Sequence, residues 1–294
     1  MQQQAFTVER PLARPMWQRT AIKTIGELAK HVVLVPLAII FMIPFFWMLS
    51  TSLKPDAQIF KWPPVWIPSP IQWSNYVDAV TTIPFFHYVW NTLIICGLSM
   101  LGVTLASPPV AYSFSRLRWV GRDFLFIVTI ATMMIPYQVT MIPVFLIWAN
   151  LGFINTFVPL IAPHWLGTPF YIFLLRQFFL SIPFELSDAA KIDGATELGI
   201  YRRIILPLAK PALATVLVFE FLNRWRGFIG PLIYLNDQKK YTISLGLQMY
   251  QQENYTEWSQ LMAASIMLTM PVIILYFFAQ RTFIQGITMT GIKG

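Results

Sequence analysis

The chain has 294 residues, of which 56% are hydrophobic and only 12% are charged. An average soluble domain carries about 25% charged residues, and a water-soluble fold of this length needs them to cover its surface. The composition therefore excludes a soluble enzyme or binding module and indicates one all-α bundle in a lipid bilayer.

The formal net charge is +8, which can indicate a nucleic-acid partner or a membrane topology. Here the basic residues flank apolar runs instead of forming one patch, so we favour topology and expect no nucleic-acid partner. The single cysteine, Cys96, allows no disulfide within the chain. The histidines His31, His87 and His164 lie far apart without zinc-type spacing, so we expect no metal site.

Six runs of the sequence are long and apolar enough to cross a bilayer, which takes about 20 residues in a helix. The polar residues 1–31 precede a run too long for the core of a cleavable signal peptide, so we predict a retained first span. Between Asp123 and Arg176 lie 52 uncharged residues, enough for two crossings with a Gly-containing turn at 150–155. The predicted spans are 32–53, 88–115, 124–149, 156–180, 204–223 and 259–281.

Charge asymmetry orients the predicted bundle. Six spans place both termini on one side of the membrane, and 15 of the 21 basic residues fall on that side. By the positive-inside rule both termini are cytoplasmic, in a plasma (inner) membrane. The predicted organisation is a cytoplasmic N-terminal segment (1–31), a six-helix transmembrane domain (32–283) and a cytoplasmic C-terminal tail (284–294).

Two long loops are predicted outside the membrane, at 54–87 and 224–258. The first carries Trp62, Trp66 and Trp73 among several prolines. Tryptophan favours the membrane interface, and proline lowers the cost of ordering a loop. The residues alone favour equally an interfacial lid on the bundle and a docking surface for an external partner.

Prolines are predicted to interrupt two of the spans. Pro108 and Pro109 lie in the second span, and Pro136 and Pro143 lie in the third. Broken helices are tolerated in membranes where freed backbone groups meet protein or a water-filled cavity, and transporters often use them. Ordinary kinked helices contain proline too, so a transport path is one of two interpretations.

The most informative stretch, segment 185–207, connects the fourth and fifth spans on the cytoplasmic side. Connections between helices usually need about 2–8 residues, so we expect this one to hold a helix of its own. Ser187 or Asp188 can cap the start of that helix. Small side chains let another surface approach the backbone closely, so the stretch indicates a docking helix. Its small residues are Ala189, Ala190, Gly194 and Ala195.

The same stretch resembles the EAA loop of ABC-importer permeases, whose pattern is Glu-Ala-Ala-x3-Gly-x9-Ile-x-Leu-Pro. Every spacing agrees, and the one departure is Asp188, whose carboxylate is shorter than that of Glu. The matching residues are Asp188, Ala189, Ala190, Gly194, Ile204, Leu206 and Pro207. Residues 51–55, 73–76, 236–247 and 285–294 are similar to the maltose-type branch of this family.

The resemblance implies a type I ABC importer permease, with residues 187–199 as a coupling helix in a cleft of a separate ATPase. No Gly-Lys dipeptide occurs in the chain, so it has no Walker A loop, and we expect no catalytic residue and no cofactor in it. ATP and magnesium are expected on an ATPase dimer, and the further partners are a homologous permease and an external solute-binding protein that meets loop 224–258. The implied ATPase contacts are Asp188, Ala189, Ala190, Asp193, Gly194, Ala195, Leu206 and Pro207, with Lys293 and Gly294 in the tail.

The path of a sugar-like solute needs hydrogen bonds and aromatic faces, for which Tyr137 and Gln138 are the preferred residues. A carboxylate inside a span is a functional candidate. However, Glu220 can pair with Arg224 four residues later, near the external end where we expect mild burial, and we favour that pairing. The candidates for the solute path are Asn91, Tyr137, Gln138, Glu220 and Asn223.

Other classes of membrane protein fit less well. A secondary transporter driven by an ion gradient predicts paired acidic residues near mid-membrane and internal repeats, and neither is visible in the sequence. A channel or a membrane scaffold does not require segment 185–207. Within the importer class, a polyol or a glycerol-phosphate-type compound is the alternative to a sugar or oligosaccharide.

Overall fold

The described part of the chain is mainly helical. The computed structural model describes residues 16–251 and 255–291, with the side chains of 27–28, 30–251 and 255–280. Within these residues an isolated β-bridge joins Gln251 and Thr256, and the predicted all-α fold is confirmed. The helices are α1 (Met16–Ser52), α2 (Ser74–Thr82), α3 (Phe85–Arg116), α4 (Arg122–Ala131), α5 (Tyr137–Asn150), α6 (Val158–Ile161), α7 (Pro169–Ser181), α8 (Glu185–Ile192), α9 (Glu197–Ile200), α10 (Leu206–Leu208), α11 (Lys210–Trp225), α12 (Ile229–Tyr234), α13 (Ile243–Gly246) and α14 (Trp258–Gly291).

The described residues contain four helices that are long and apolar enough to cross a membrane, and up to six crossings if each of two bent pairs is one crossing. Four are single segments: Lys30–Ser52 of α1, the whole of α3, Val158–Ser181 and Trp258–Gln280 of α14. Two more are bent pairs, in which Arg122–Met134 meets α5 at 98° and Glu197–Leu208 meets α11 at 73°. When each bent pair is counted as one crossing, the structure has the six predicted spans.

Only one of the four prolines predicted to interrupt a span ends a helix. Pro136 directly precedes α5, and Ile135 has the extended backbone (φ −79°, ψ 116°) that proline imposes on the residue before it. In contrast, α3 continues through Pro108 and Pro109, and α5 continues through Pro143, so the prediction is wrong at these three positions. Proline is tolerated inside a membrane helix where neighbouring elements compensate the freed backbone groups.

The central helix of the bundle is α3. It packs against α7, α11, α6, α2, α13 and the 3-10 turn Ala162–Leu166. Contact with this turn is close at Gly102, where a Cβ would lie 2.5 Å from Cδ1 of Trp165. The largest apolar cluster joins the second half of α3 to α7, α9 and α11, and it includes Leu175 and Ile200. The C-terminal end of α3 is therefore packed directly against segment 185–207.

One helix lies at the edge of the bundle. It is α1, which packs against α14, and its apolar side chains at 32–46 are all exposed. Such a face is stable only against lipid or against another membrane subunit. The predicted tail contacts Lys293 and Gly294 lie outside the described residues.

Candidate functional site

Segment 185–207 folds into two short helices with a glycine turn between them. The predicted single helix over 187–199 is wrong, because α8 ends at Ile192 and α9 starts at Glu197. Gly194 has φ +80°, which favours glycine. The N–H of Gly194 bonds to the carbonyl of Lys191 (3.0 Å), and the N–H of Ala195 bonds to that of Ala190 (2.9 Å). These two bonds form a Schellman motif, which terminates α8 at this point.

The predicted side-chain caps of this helix are also wrong. α8 begins at Glu185, before Ser187 and Asp188. The carbonyl of Phe184 accepts hydrogen bonds from the N–H groups of Ser187 (2.9 Å) and Asp188 (3.0 Å), so these residues lie inside the first turn. A side-chain cap is present at α9, where Oγ1 of Thr196 accepts from the N–H of Gly199 (3.2 Å).

The two sides of segment 185–207 differ in exposure. Among the predicted ATPase contacts, Asp188, Ala189, Asp193, Gly194 and Pro207 are exposed. The remaining three are half-buried, and Ala190 and Ala195 pack against the main apolar cluster. They are Ala190, Ala195 and Leu206.

Aliphatic side chains are exposed along the segment, and two of them are more than half exposed. Ile192, the last residue of α8, is 87% exposed, and Leu198 in α9 is 55% exposed. Exposed aliphatic groups beside small residues form a surface suited to contact with another protein.

Ionic contacts hold the segment in shape. Nζ of Lys191 lies 2.9 Å from Oε1 of Glu197, which connects α8 to α9. The other oxygen, Oε2, accepts a hydrogen bond of 2.7 Å from the hydroxyl of Tyr112 in α3. Nη2 of Arg116 donates to the carbonyls of Phe179 and Ile182 at the end of α7. Segment 185–207 is thus attached to the membrane helices by side chains as well as by the chain itself.

A second polar cluster lies among α7, α11 and the turn Ala162–Leu166. Glu220 is 1% exposed, so the expected mild burial is wrong. Its Oε1 lies 3.3 Å from Nε of Arg224, the predicted pair, and 3.2 Å from Nδ1 of His164. Its Oε2 accepts a hydrogen bond of 2.9 Å from the hydroxyl of Tyr171, and Asn223 donates to that hydroxyl at 3.3 Å. The carboxylate is buried against a cation, an imidazole and a phenol, which compensates part of its desolvation cost.

The predicted solute-path residues do not form one site. Asn91 is buried, and its Nδ2 donates to the carbonyls of Lys239 (2.9 Å) and Tyr241 (3.0 Å), so it secures the loop between α11 and α14. Tyr137 and Gln138 lie at the start of α5, beside the 98° bend, with exposed side chains. Of the predicted residues, only Glu220 and Asn223 are brought together, through Tyr171.

The loop after α1 is ordered by hydrogen bonds to its own backbone. Nδ2 of Asn75 donates to the carbonyls of Ser52 (3.0 Å) and Lys54 (2.9 Å). The tryptophans point outward, and Trp62 and Trp73 are 85% and 67% exposed. The loop therefore presents an aromatic surface on an ordered backbone. Both an interfacial lid and a docking surface for an external partner require this.

Four residues that hold segment 185–207 or the Glu220 cluster in place were not singled out in the sequence. Tyr112 and Arg116 are four residues apart, a spacing that places them on one face of a helix and could have drawn attention to them. His164 lies alone in an apolar run, which is itself a sign of a polar network inside a membrane. Tyr171 carries no comparable signal.

A membrane bundle with two bent crossings and a packed, two-helix segment between its fourth and fifth crossings defines a transporter permease subunit. The chain belongs to the family of binding-protein-dependent transport system inner membrane components, whose pattern matches residues 99–289. The predicted family is therefore confirmed, and so is the location in an inner membrane.

Individual relatives transport oligosaccharides according to their names. The arabinooligosaccharides transport system permease protein AraQ of Halalkalibacterium halodurans is 32% identical over 265 residues, covering 88% of this chain and 93% of its own. The diacetylchitobiose uptake system permease protein DasC of Streptomyces coelicolor is 30% identical over 270 residues, covering 92% and 98%.

A solved structure has the same fold. A chain of a bacterial ABC transporter involved in the import of the acidic polysaccharide alginate superposes with a TM-score of 0.77 at 26% identity. The match covers 88% of this chain and 96% of that one. The predicted fold of an ABC importer permease is confirmed by this likeness.

Proposed function

We propose that this chain is one of two homologous permease subunits of an ATP-driven importer, which translocates an oligosaccharide delivered by an external solute-binding protein. Membership of a binding-protein-dependent family supports the mode of delivery. The arabinooligosaccharide and diacetylchitobiose permeases, each matched over most of its length, support the class of solute.

The observation that carries the proposal is the form of segment 185–207. One side of it packs into the main cluster, and the other exposes Asp188, Ala189, Asp193 and Gly194. A separate ATPase subunit binds ATP and magnesium and contacts this exposed side, so its closure moves the membrane helices by rigid contact. Both termini lie on the cytoplasmic side with that ATPase, and the tail residues Lys293 and Gly294 reach it.

The solute path is formed by exposed polar groups rather than by buried ones. Tyr137, Gln138 and Asn223 are exposed, and they line the path together with residues of the partner permease. Asn91 and Glu220 are buried and hydrogen-bonded, so they shape the path from behind. The loop secured by Asn91 and the aromatic loop after α1 together receive the binding protein.

Reconstitution tests the proposal directly. The chain would be purified with its partner permease and ATPase and placed in liposomes with the binding protein. Uptake of labelled arabinooligosaccharides, chitooligosaccharides, polyols and glycerol phosphodiesters would then be measured. We expect uptake of an oligosaccharide that requires both ATP and the binding protein.

The outcomes separate the alternatives. Uptake driven by an ion gradient without ATP would contradict the importer class and favour a secondary transporter. ATP-dependent uptake of a polyol or a glycerol phosphodiester alone would contradict only the class of solute.

A further inference from the structure

The last turn of α3 carries two large polar side chains on one face. Tyr112 and Arg116 are four residues apart, which places them one above the other, and they are only 6% and 9% exposed. This face is directed at segment 185–207. Tyr112 contacts Glu197 within the segment, and Arg116 contacts Phe184, the residue directly before it.

Arg116 contacts the residue that directly precedes α8. Its guanidinium carbon lies 4.1 Å from the centre of the Phe184 ring, and Phe184 is the residue directly before α8. The same guanidinium donates through Nη2 to the carbonyls of Phe179 and Ile182, where α7 ends. A single side chain of α3 therefore joins the end of α7 to the start of α8.

The guanidinium of Arg116 does not use all of its hydrogen-bond donors. Its Nε and Nη1 are buried and have no hydrogen-bond partner among the described residues. A buried cation with unpaired donors is costly, so its position has to be maintained by the contacts on either side.

Tyr112 contacts the start of α9. Its hydroxyl donates to Oε2 of Glu197 (2.7 Å), and its ring lies 5.1 Å from that of Tyr201 in the turn after α9. Because Glu197 also pairs with Lys191 of α8 (2.9 Å), this contact reaches both short helices. A movement of either helix is thus opposed by a bond to α3.

We propose that Tyr112 and Arg116 are positioning residues that transmit displacement of segment 185–207 to the central helix α3, in addition to the route along the backbone into α7 and α11. The inference rests on the proposed function, since it concerns how ATPase movement reaches the membrane helices. Charge-assisted and cation–π contacts suit this role because they are directional and strong in a desolvated setting. α3 is the helix against which most of the bundle packs, so its displacement reshapes the whole path.

Two variants test the inference in the reconstituted transporter. Tyr112→Phe removes the hydroxyl that contacts Glu197 and keeps the ring. Phe184→Leu removes the aromatic face under Arg116 at a side chain that is 46% exposed and therefore tolerant of change. We expect both variants to assemble normally into complexes that hydrolyse ATP. The double variant should import at least about fivefold less solute per ATP hydrolysed than the wild type, which is the lower end of the typical coupling between two sites.

Controls separate transmission from simple support of the fold. The single variant Phe184→Tyr retains an aromatic face under Arg116 and should therefore keep the wild-type ratio of import to hydrolysis. Phe173→Leu makes the same change of side chain at an exposed residue of α7. It should leave the ratio of import to hydrolysis unchanged. An unchanged ratio in the double variant, or a lower amount of complex with an unchanged ratio, would overturn the inference and leave the proposed function intact. Absence of ATP-dependent import by the wild-type complex would overturn both.

Discussion

The hydroxyl of Tyr171 donates a 2.9 Å hydrogen bond to the carboxylate of Glu220, and both side chains are almost completely buried. This bond joins α7 to α11 inside the membrane, where neither group can turn to water instead. The carboxylate also lies next to Arg224 and His164. Its removal therefore affects three partners at once.

We expect Glu220→Ala to destabilise the assembled permease by about 3–5 kcal/mol, because it leaves the half-buried Arg224, whose Nε is buried, without its counter-charge. Tyr171→Phe removes one hydrogen bond to a charged group and should cost about 1.5–3 kcal/mol. The apparent melting temperature of the detergent-purified complex measures both effects. Glu220→Gln, which keeps an acceptor, should fall between wild type and Glu220→Ala, and a fully stable Glu220→Ala would show that the cluster does not hold α7 to α11.

Gly194 offers a test of close approach by the ATPase. Asparagine tolerates the left-handed backbone at φ +80°, and a Cβ added here meets no heavy atom of the described residues within 4 Å. Gly194→Asn should therefore leave the fold and assembly unchanged while reducing solute-stimulated ATP hydrolysis at least about fivefold. Gly152 is a matched control, with φ +74° and the same open space. Equal hydrolysis in Gly194→Asn and Gly152→Asn would argue against docking at this turn.

A substitution at Asn91 shows whether this residue has a structural role or contacts the solute. Asn91→Ala releases the carbonyls of Lys239 and Tyr241, and each lost bond costs about 0.5–1.5 kcal/mol. We expect faster proteolysis of the loop between α11 and α14 and weaker stimulation by the binding protein, with an unchanged order of preference among solutes. A changed order of preference would instead place Asn91 in the solute path.

The burial of Lys54 predicts that the stability of the folded protein depends on pH. It is fully buried after the first span, its Nζ has no hydrogen-bond partner among the described residues, and it lies 3.8 Å from the centre of the Trp47 ring. Burial lowers the pKa of this amine below its usual value of 10.5, so the folded state disfavours the charged form. That cost is present below the lowered pKa and disappears as the pH rises towards 10.5.

We therefore expect Lys54→Met to be more stable than wild type at pH 7, with a difference that narrows as the pH rises. Parallel melting curves of the two complexes between pH 7 and pH 10 measure this difference. A Lys54→Met variant that is less stable at pH 7 would show that the contact with Trp47 outweighs the cost of burying the charge.

Span number could be predicted because uncharged runs are directly visible in a sequence. The 52 residues between Asp123 and Arg176 form most of one bent helix pair and one continuous candidate span, which agrees with two crossings if the bent pair counts as one. The break at Pro136 follows from the local effect of proline on Ile135. The continuity of α3 through Pro108 and Pro109 could not be predicted, because it depends on neighbours that only the fold brings together.

The position of segment 185–207 could be predicted from its motif, but its division into two helices was missed. Gly194 after Lys191 is a typical signal for the end of a helix, and the expected single helix passed over it. The partners of Glu220 could not be predicted from the sequence for a different reason. Tyr171 is 49 residues away from Glu220 in the chain, so no local pattern connects them.

The length of α1 constrains whatever lies beneath the bundle. Its 37 residues span about 56 Å at 1.5 Å per residue, whereas the hydrocarbon core is about 30 Å thick. Residues 16–29 precede the apolar part of the helix, so about 20 Å of α1 extends beyond its candidate span. In the proposed six-span importer this end lies on the same side as segment 185–207. The proposed ATPase would therefore have to bind beside it, which leaves fewer orientations in which it can contact the membrane helices.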